Sequence, residues 1–271
     1  MNLNTITEVK RPASADEIRR WRDGYAWLAG GTWLFSEPQV HTDTLIDLET
    51  FRWPALTASD TGLEIAATCR IAELYAFEAP KRWIAAALIS ECCRSFLSSF
   101  KIWNEATIGG NIAMSLPAGP MISLTVALEA VYELWPRDAA PRRVAAADFV
   151  TGNHANSLGP GELLRSIHLP ASALQRPHAF RRASLTHLGR SSVLLIGTRA
   201  ADELLLTVTA ATVRPVQLRL HGQPTERNLR EAIDVAIPAD LYLDDVHGSP
   251  KHRRHLTYYF AREIWEELFG P

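Results

Sequence analysis

The chain has 271 residues, 47% hydrophobic and 21% charged, the composition of an ordinary globular protein. Its formal charge is −2 and its isoelectric point about 6.5, so no basic surplus draws it toward nucleic acid, and no apolar run approaches the ~18 residues that a membrane span needs. The three cysteines, Cys69, Cys92 and Cys93, form neither a CxxC pair nor a four-thiolate set, so the chain cannot hold an iron–sulfur cluster alone; an odd total with two adjacent residues reads as free thiols of a reducing compartment.

The length suits one large or two modest domains. Residues 1–10 have no basic start leading into an apolar stretch, so no secretory signal is read there and a cytoplasmic location is expected. Residues 15–22 read as a helix with Ser14 or Asp16 near its start. Residues 25–29 are a short apolar run ending at Gly30-Gly31, a buried strand that enters a glycine turn. Residues 44–47 and 63–67 read as further strands. Thr68 is placed to cap a helix over 70–77, and Pro80 opens a second helix that runs to about Cys93. Residues 105–120 hold Gly109, Gly110, Pro117, Gly119 and Pro120 without a clean period, and read as a loop. Residues 121–128 are apolar and buried, 130–134 form a strand, and 148–152 a short helical turn. Residues 162–169 alternate and stop at Pro170, as a strand does. A linker is expected over 170–177. Beyond it, 179–183, 195–200, 204–210 and 216–220 have strand character. Helices follow near 228–235 and from Pro250 to about Phe269, the last with Trp265 and Leu268 on the face of Leu256 and Ala261. Strands followed by terminal helices point to an α+β fold.

Two segments carry chemistry. In Leu28-Ala29-Gly30-Gly31-Thr32-Trp33-Leu34, glycines after a strand let backbone N–H groups approach an anion, and Thr32 adds a hydroxyl. A lone Gly-Gly-Thr is also what a plain tight turn looks like, and neither GxGxxG nor the P-loop pattern is present. In Thr107-Ile108-Gly109-Gly110-Asn111-Ile112-Ala113, Thr107 and Asn111 flank the glycines with side chains able to bond phosphate or ribityl oxygens. Two phosphate-capable segments in one chain suggest a diphosphate gripped from two sides.

These segments resemble the FAD-binding subunits and domains of the xanthine dehydrogenase and carbon monoxide dehydrogenase family. That family pairs an Ala-Gly-Gly-Thr-like loop with Thr-Ile-Gly-Gly-Asn-Ile-Ala and then Ser-x-Pro-Ala, here Ser115-Leu116-Pro117-Ala118. Similar segments recur at Gly161-Glu162-Leu163-Leu164-Arg165-Ser166-Ile167, Ala179-Phe180-Arg181-Arg182-Ala183-Ser184 and Val246-His247-Gly248-Ser249. The resemblance implies a two-lobed FAD-binding domain over 1–169, divided near residue 52, then a small α+β domain over 170–271. It implies FAD held by Leu28, Ala29, Gly30, Gly31, Thr32 and Leu34 from one loop and by Thr107, Gly110 and Asn111 from the other. Leu97 and Leu164 would lie near the isoalloxazine, and Arg181 near its electron-rich end, where positive charge favours the reduced form. The implied role is electron transfer within a multi-subunit molybdenum hydroxylase, beside a molybdopterin-binding large subunit and a 2Fe-2S small subunit, without turnover of the organic substrate by this chain alone. No catalytic acid or base and no metal ligand is assigned.

Some residues depart from the family pattern. Trp33 stands where a small or acidic residue is usual, Met114 where a small polar one is, Pro120 where an aspartate is frequent, and Trp103 where an arginine is common. Pro120 and Met114 leave open a second reading, a non-redox binding or assembly module that keeps the fold without the flavin. Two other signals are weaker. Ser98 and Lys101 match SxxK, but no SDN or KTG element follows at a useful place. His247, His252 and His255 are interleaved with Lys251, Arg253 and Arg254, whose charge opposes a metal and favours a solvated or partner-facing basic surface.

Overall fold

The computed structural model describes residues 3–14, 17–18, 20–222 and 225–270. The chain begins with three short strands, β1 (Glu8–Lys10), β2 (Tyr25–Leu28) and β3 (Thr44–Asp47), paired in parallel in the order β1-β3-β2. Adjacent parallel strands need a crossover connection. Residues 29–43 supply it between β2 and β3, which puts the Gly30-Gly31 turn at the carboxyl end of a parallel strand.

A hairpin follows, β4 (Leu56–Ser59) and β5 (Gly62–Ala66), and then a run of helices: α1 (Ile71–Tyr75), α2 (Ala87–Ser95), α3 (Phe100–Trp103), α4 (Ile108–Ala113) and α5 (Pro120–Ala127). Next come β6 (Val131–Trp135), β7 (Arg142–Ala145), α6 (Ala146–Phe149), the small hairpin β8 (Val150–Gly152) with β9 (Ala155–Asn156), and β10 (Leu163–Pro170). The longer strands form a five-stranded sheet, β4-β5-β10-β6-β7, antiparallel throughout. After α7 (Ala171–Leu174), an antiparallel meander of β11 (His178–Ala183), β12 (Val193–Ala200), β13 (Glu203–Thr209) and β14 (Val216–His221) leads to α8 (Glu226–Ala236) and α9 (Pro250–Phe269).

Helix α5 explains how the layers join. All eight of its residues are buried. A helix apolar all round belongs in a core rather than on a surface. It packs against α2 and α4 on one side and β12 and β13 on the other. The two faces of β12 then serve two cores: Leu194 and Ile196 join the cluster of α5 and β10, whereas Val193 and Leu195 join that of α8 and α9. This is the period-2 alternation of a strand buried on both sides. Ser123 and Thr209 share a hydrogen bond at 2.7 Å, and Gln217 Nε2 donates to Val126 O at 2.7 Å, so polar groups at this seam are satisfied.

Several expectations need correction. The helix expected over 15–22 falls partly on Ala15, Asp16 and Arg19, which lie outside the described residues, and residues 20–22 are not helical. Helix α1 is capped not by Thr68 but at Arg70, whose N–H donates to Glu73 Oε2 at 2.8 Å. Helix α2 starts seven residues after Pro80, behind a 3-10 turn over Ile84–Ala86. The stretch 170–177 is no free linker: Ala171, Ala173 and Leu174 are buried in α7, which packs on β5 and β10. Strands β4 and β7 were not read, because each has four residues, none of them buried, and is too short to show a period. In α9 the buried face is Arg253, Thr257, Phe260, Ala261, Ile264 and Leu268, with Leu256 and Trp265 at its margin. The stretch 105–120, read as a loop, contains helix α4 and ends on the first residue of α5. Among the described residues no helix is long and apolar enough to cross a membrane.

Candidate functional site

The loop after β2 is shaped by its two glycines. A Cβ on Gly30 would lie 1.7 Å from the carbonyl oxygen of Glu105, so only glycine lets this loop press against the segment that leads into α4. Gly31 adopts φ +68°, a left-handed conformation that other residues enter at a cost. Its carbonyl accepts from Phe35 N at 2.8 Å, and Trp33 O accepts from Ser36 N at 2.8 Å, so the loop closes with acceptors used. Its donors are not. Among the described residues, the N–H groups of Gly30, Gly31, Thr32, Trp33 and Leu34 meet no acceptor. Most buried or half-buried amides find a partner, so five consecutive open ones form a concavity suited to an anion.

Helix α4 is set opposite. Thr107 caps it, its Oγ1 accepting from Gly110 N at 3.1 Å. Ile108 N donates to Cys69 O at 2.9 Å and Gly109 N to Ala67 O at 3.0 Å, which ties the first turn to the end of β5. Gly109 makes that approach possible: a Cβ there would sit 2.4 Å from Ala67 Cβ and 2.6 Å from Ala67 O. Close tertiary packing therefore overrides the poor helix propensity of two successive glycines. Gly110 is exposed, and the single atom near its would-be Cβ is Thr107 Oγ1 at 3.0 Å. The first-turn amides of α4 are already bonded, so what this side offers an anion is the Thr107 hydroxyl proton, the Asn111 side chain and open space over Gly110. Asn111 Oδ1 accepts from Met121 N at 3.2 Å and so faces α5 with its other end free.

Between the two segments lies a cavity of about 480 Å³, inside the ~300–1,000 Å³ range of small-molecule clefts. Its wall includes Leu28, Ala29, Gly30, Gly31, Thr32 and Leu34 from the first segment and Thr107, Gly110 and Asn111 from the second. Leu97, Leu164 and Arg181 are not on it. Leu97 sits between the wall residues Phe96 and Ser98 and has φ +49°, an uncommon strain for leucine. Leu164 is 3% exposed within β10. Arg181 pairs with Glu263 at 2.9 Å and Glu267 at 2.6 Å, both on α9. Sequence reasoning did not name Trp27, Phe96, Ser98, Ile102, Ala106, Ala113 or Leu116 as wall residues. Contact between the Gly30 turn and Glu105 brings the 96–106 stretch there, and no local pattern announces it.

Among the described residues no charged side chain lines this cavity. Of the four departures, Trp33 and Met114 are on the wall. Pro120 is the buried first residue of α5, where its missing N–H costs nothing. Trp103 meets the Tyr75 ring edge-on, with centroids 5.1 Å apart.

The weaker sequence signals do not assemble. Ser98 Oγ donates weakly to Phe96 O at 3.4 Å, not to Lys101. Arg253, expected on a solvated basic face, is 1% exposed; it points inward and donates to Gly248 O, Ala210 O, Ser192 O and Asp245. His255 stays outside, in an open hollow between α8 and α9 where Arg254 already pairs with Asp234 at 2.6 Å. Among the described residues no three His, Cys, Asp or Glu side chains converge as metal ligands. The three cysteines are free and buried, and burial pushes the Cys69 and Cys93 thiols up to about 12.

Residues 5–172 match the family model described as the FAD binding domain in molybdopterin dehydrogenase. Curated relatives align over shorter stretches. Xanthine dehydrogenase 2 of Arabidopsis thaliana is 29% identical over 122 residues, 43% of this chain and 9% of that protein. The carbon monoxide dehydrogenase medium chain of Afipia carboxidovorans is 38% identical over 76 residues, 28% of this chain and 26% of that one. The matched stretch is thus well under two thirds of either relative. Among solved structures, quinoline 2-oxidoreductase from Pseudomonas putida 86 superposes with a TM-score of 0.81 at 18% identity, over 99% of this chain and 98% of that one. A carbon monoxide dehydrogenase from Hydrogenophaga pseudoflava gives 0.82 at 19% identity, over 97% of each chain. At such identities the likeness is one of fold. The family model, in contrast, covers more than half of the chain and both glycine segments, so the protein belongs to the FAD-binding domain family of the molybdopterin dehydrogenases, and its cofactor is FAD.

Proposed function

We infer that this chain is the electron-transferring, FAD-carrying subunit of a multi-subunit molybdenum hydroxylase. The observation that carries the reading is the row of five open amides at 30–34, set across one cavity from the uncrowded Gly110. A diphosphate needs donors on a concave surface and a close backbone approach, and these residues provide both. The amides and the Thr32 hydroxyl would hold it from one side, the Thr107 hydroxyl and Asn111 from the other. Leu28, Ala29 and Leu34 supply apolar wall. Leu97 joins the proposal because its neighbours are wall residues; Leu164 and Arg181 enter it through the family resemblance alone.

Bound FAD supplies reversible one- and two-electron transfer. The chain's own residues bind and orient it, and the described ones contribute no acid or base on the cavity wall. Electrons must therefore arrive from a donor and leave to an acceptor outside this chain. Three buried cysteines cannot build a cluster, which supports a 2Fe-2S subunit as donor and a molybdopterin-binding subunit as the place of substrate oxidation. The aligned relative that is itself a medium chain supports the same arrangement. Residues 1–169 would carry the cofactor and 170–271 complete the subunit, in the cytoplasm, where free thiols persist. The rival reading, an assembly module without flavin, draws on Pro120, which offers neither a carboxylate nor an N–H beside Asn111.

Flavin released from the purified protein by denaturation and separated by chromatography decides between them. FAD is expected and FMN is not, because FMN has no diphosphate. FMN alone, or no uptake from excess FAD, would overturn the reading.

A further inference from the structure

We propose that Trp33 is a positioning residue for the cofactor, its indole forming the platform on which a planar ring of the bound dinucleotide stacks. The inference rests on the FAD reading and deepens it. A tryptophan kept for packing is buried, as Trp83 is at 2% exposure; Trp33 is 42% exposed although it lies on the cavity wall. Its carbonyl is held by Ser36, whose N and Oγ both donate to Trp33 O at 2.8 Å. One side of the indole is backed by the His154 ring, with centroids 5.6 Å apart and planes 41° apart. His154 is itself held, at φ +55° in the β8–β9 turn and by its N–H on Ser115 O at 3.0 Å. Among the described residues the Trp33 indole N–H has no acceptor.

The result is an aromatic surface with a rigid base, a backed side and an open remainder, beside the open amides. Trp27, the other tryptophan on the wall, is already committed: its Nε1 donates to Gly161 O at 3.1 Å and its ring meets Trp21 at 5.1 Å. With no charged side chain among the described wall residues, ring stacking adds affinity beyond what the amides and the Thr32, Thr107 and Asn111 side chains supply. Stacking of a heteroaromatic base on such a platform is sequence-tolerant and sizeable. The shared chemistry is a planar heteroaromatic ring, which FAD presents twice, as adenine and as isoalloxazine.

The test is calorimetric titration of the flavin-free full-length protein and of its Trp33→Ala and Trp33→Phe variants with FAD and with ADP. Trp33→Ala should weaken FAD binding about tenfold, and Trp33→Phe should restore most of it. A parallel loss of ADP affinity assigns the platform to adenine; loss for FAD with ADP unchanged assigns it to the isoalloxazine. Wild-type FAD affinity in Trp33→Ala overturns the proposal and leaves the FAD reading intact. Equal losses in both variants also overturn it, since a structural role would not be rescued by a smaller ring. Wild-type protein that takes up no FAD overturns both.

Discussion

An added methyl group at Gly109 would meet Ala67 Cβ at 2.4 Å, whereas at Gly110 it would face only a hydroxyl at 3.0 Å. Two adjacent, identical residues thus have separate duties, one in packing α4 against Ala67 just after β5 and one in leaving the cavity clear. Gly109→Ala should lower stability by ~1–3 kcal/mol through overpacking, read as a drop in the chemical denaturation midpoint. Gly110→Val should keep a near-native circular dichroism spectrum and lose flavin by about tenfold or more. The reason is steric occupation of the cavity; neither glycine has a left-handed φ, so forbidden dihedrals play no part. Full flavin retention in Gly110→Val would separate this segment from cofactor binding. The motif was legible in the sequence because glycine, threonine and asparagine are recognisable as types. The division of labour between the glycines was not, since it depends on where Ala67 arrives, some 40 residues earlier in the chain.

At the scale of elements, legibility follows how local the cause is. Strand β3 and helix α9 keep the bounds read from sequence, Thr44–Asp47 and Pro250–Phe269, because apolar runs and the Ser249-Pro250 start are local signals. Helix α4 reads as a loop, because two glycines and a following proline outweigh it locally and only the Thr107 cap, the bonds to Ala67 and Cys69 and the packing on α5 and β10 make it helical. The cavity it helps form is walled by neutral groups from β2's exit loop, the 96–106 stretch and α4. Binding of a charged cofactor by amide and hydroxyl dipoles at short range is little screened by salt. Raising salt from about 0.02 to about 0.5 M should therefore change FAD affinity by less than about threefold, measured by calorimetry. A tenfold or greater loss would mean that a charged side chain reaches the diphosphate from outside the described wall.

At the scale of the whole molecule, the FAD-binding family and the cavity between the two glycine segments fit the proposed role of a cofactor carrier within a larger complex. Its fold matches that of solved chains over nearly their entire length, while both helix-bearing cores are filled and the described residues gather no metal-ligand set. On the proposed reading electrons enter from outside this chain, since its three cysteines are buried, burial keeps the Cys69 and Cys93 thiols protonated, and three thiols are too few for a cluster. Nor, among the described residues, does the cavity wall carry a general acid or base that could open a substrate C–H bond. Composition alone excluded the cluster; the absence of an acid or base from the cavity wall became visible only when the fold brought distant segments together. The purified chain, fully loaded with FAD, should therefore reduce no dye with a panel of aldehydes and N-heterocycles. Dye reduction should appear when the chain is co-expressed with a molybdenum subunit and an iron–sulfur subunit, and should fall when Gly110→Val replaces the wild type in that complex. Turnover of any of these substrates by the loaded chain alone would place the chemistry within it and sink the electron-relay reading. Turnover by the complex that is indifferent to Gly110→Val would instead show that its electrons bypass this flavin.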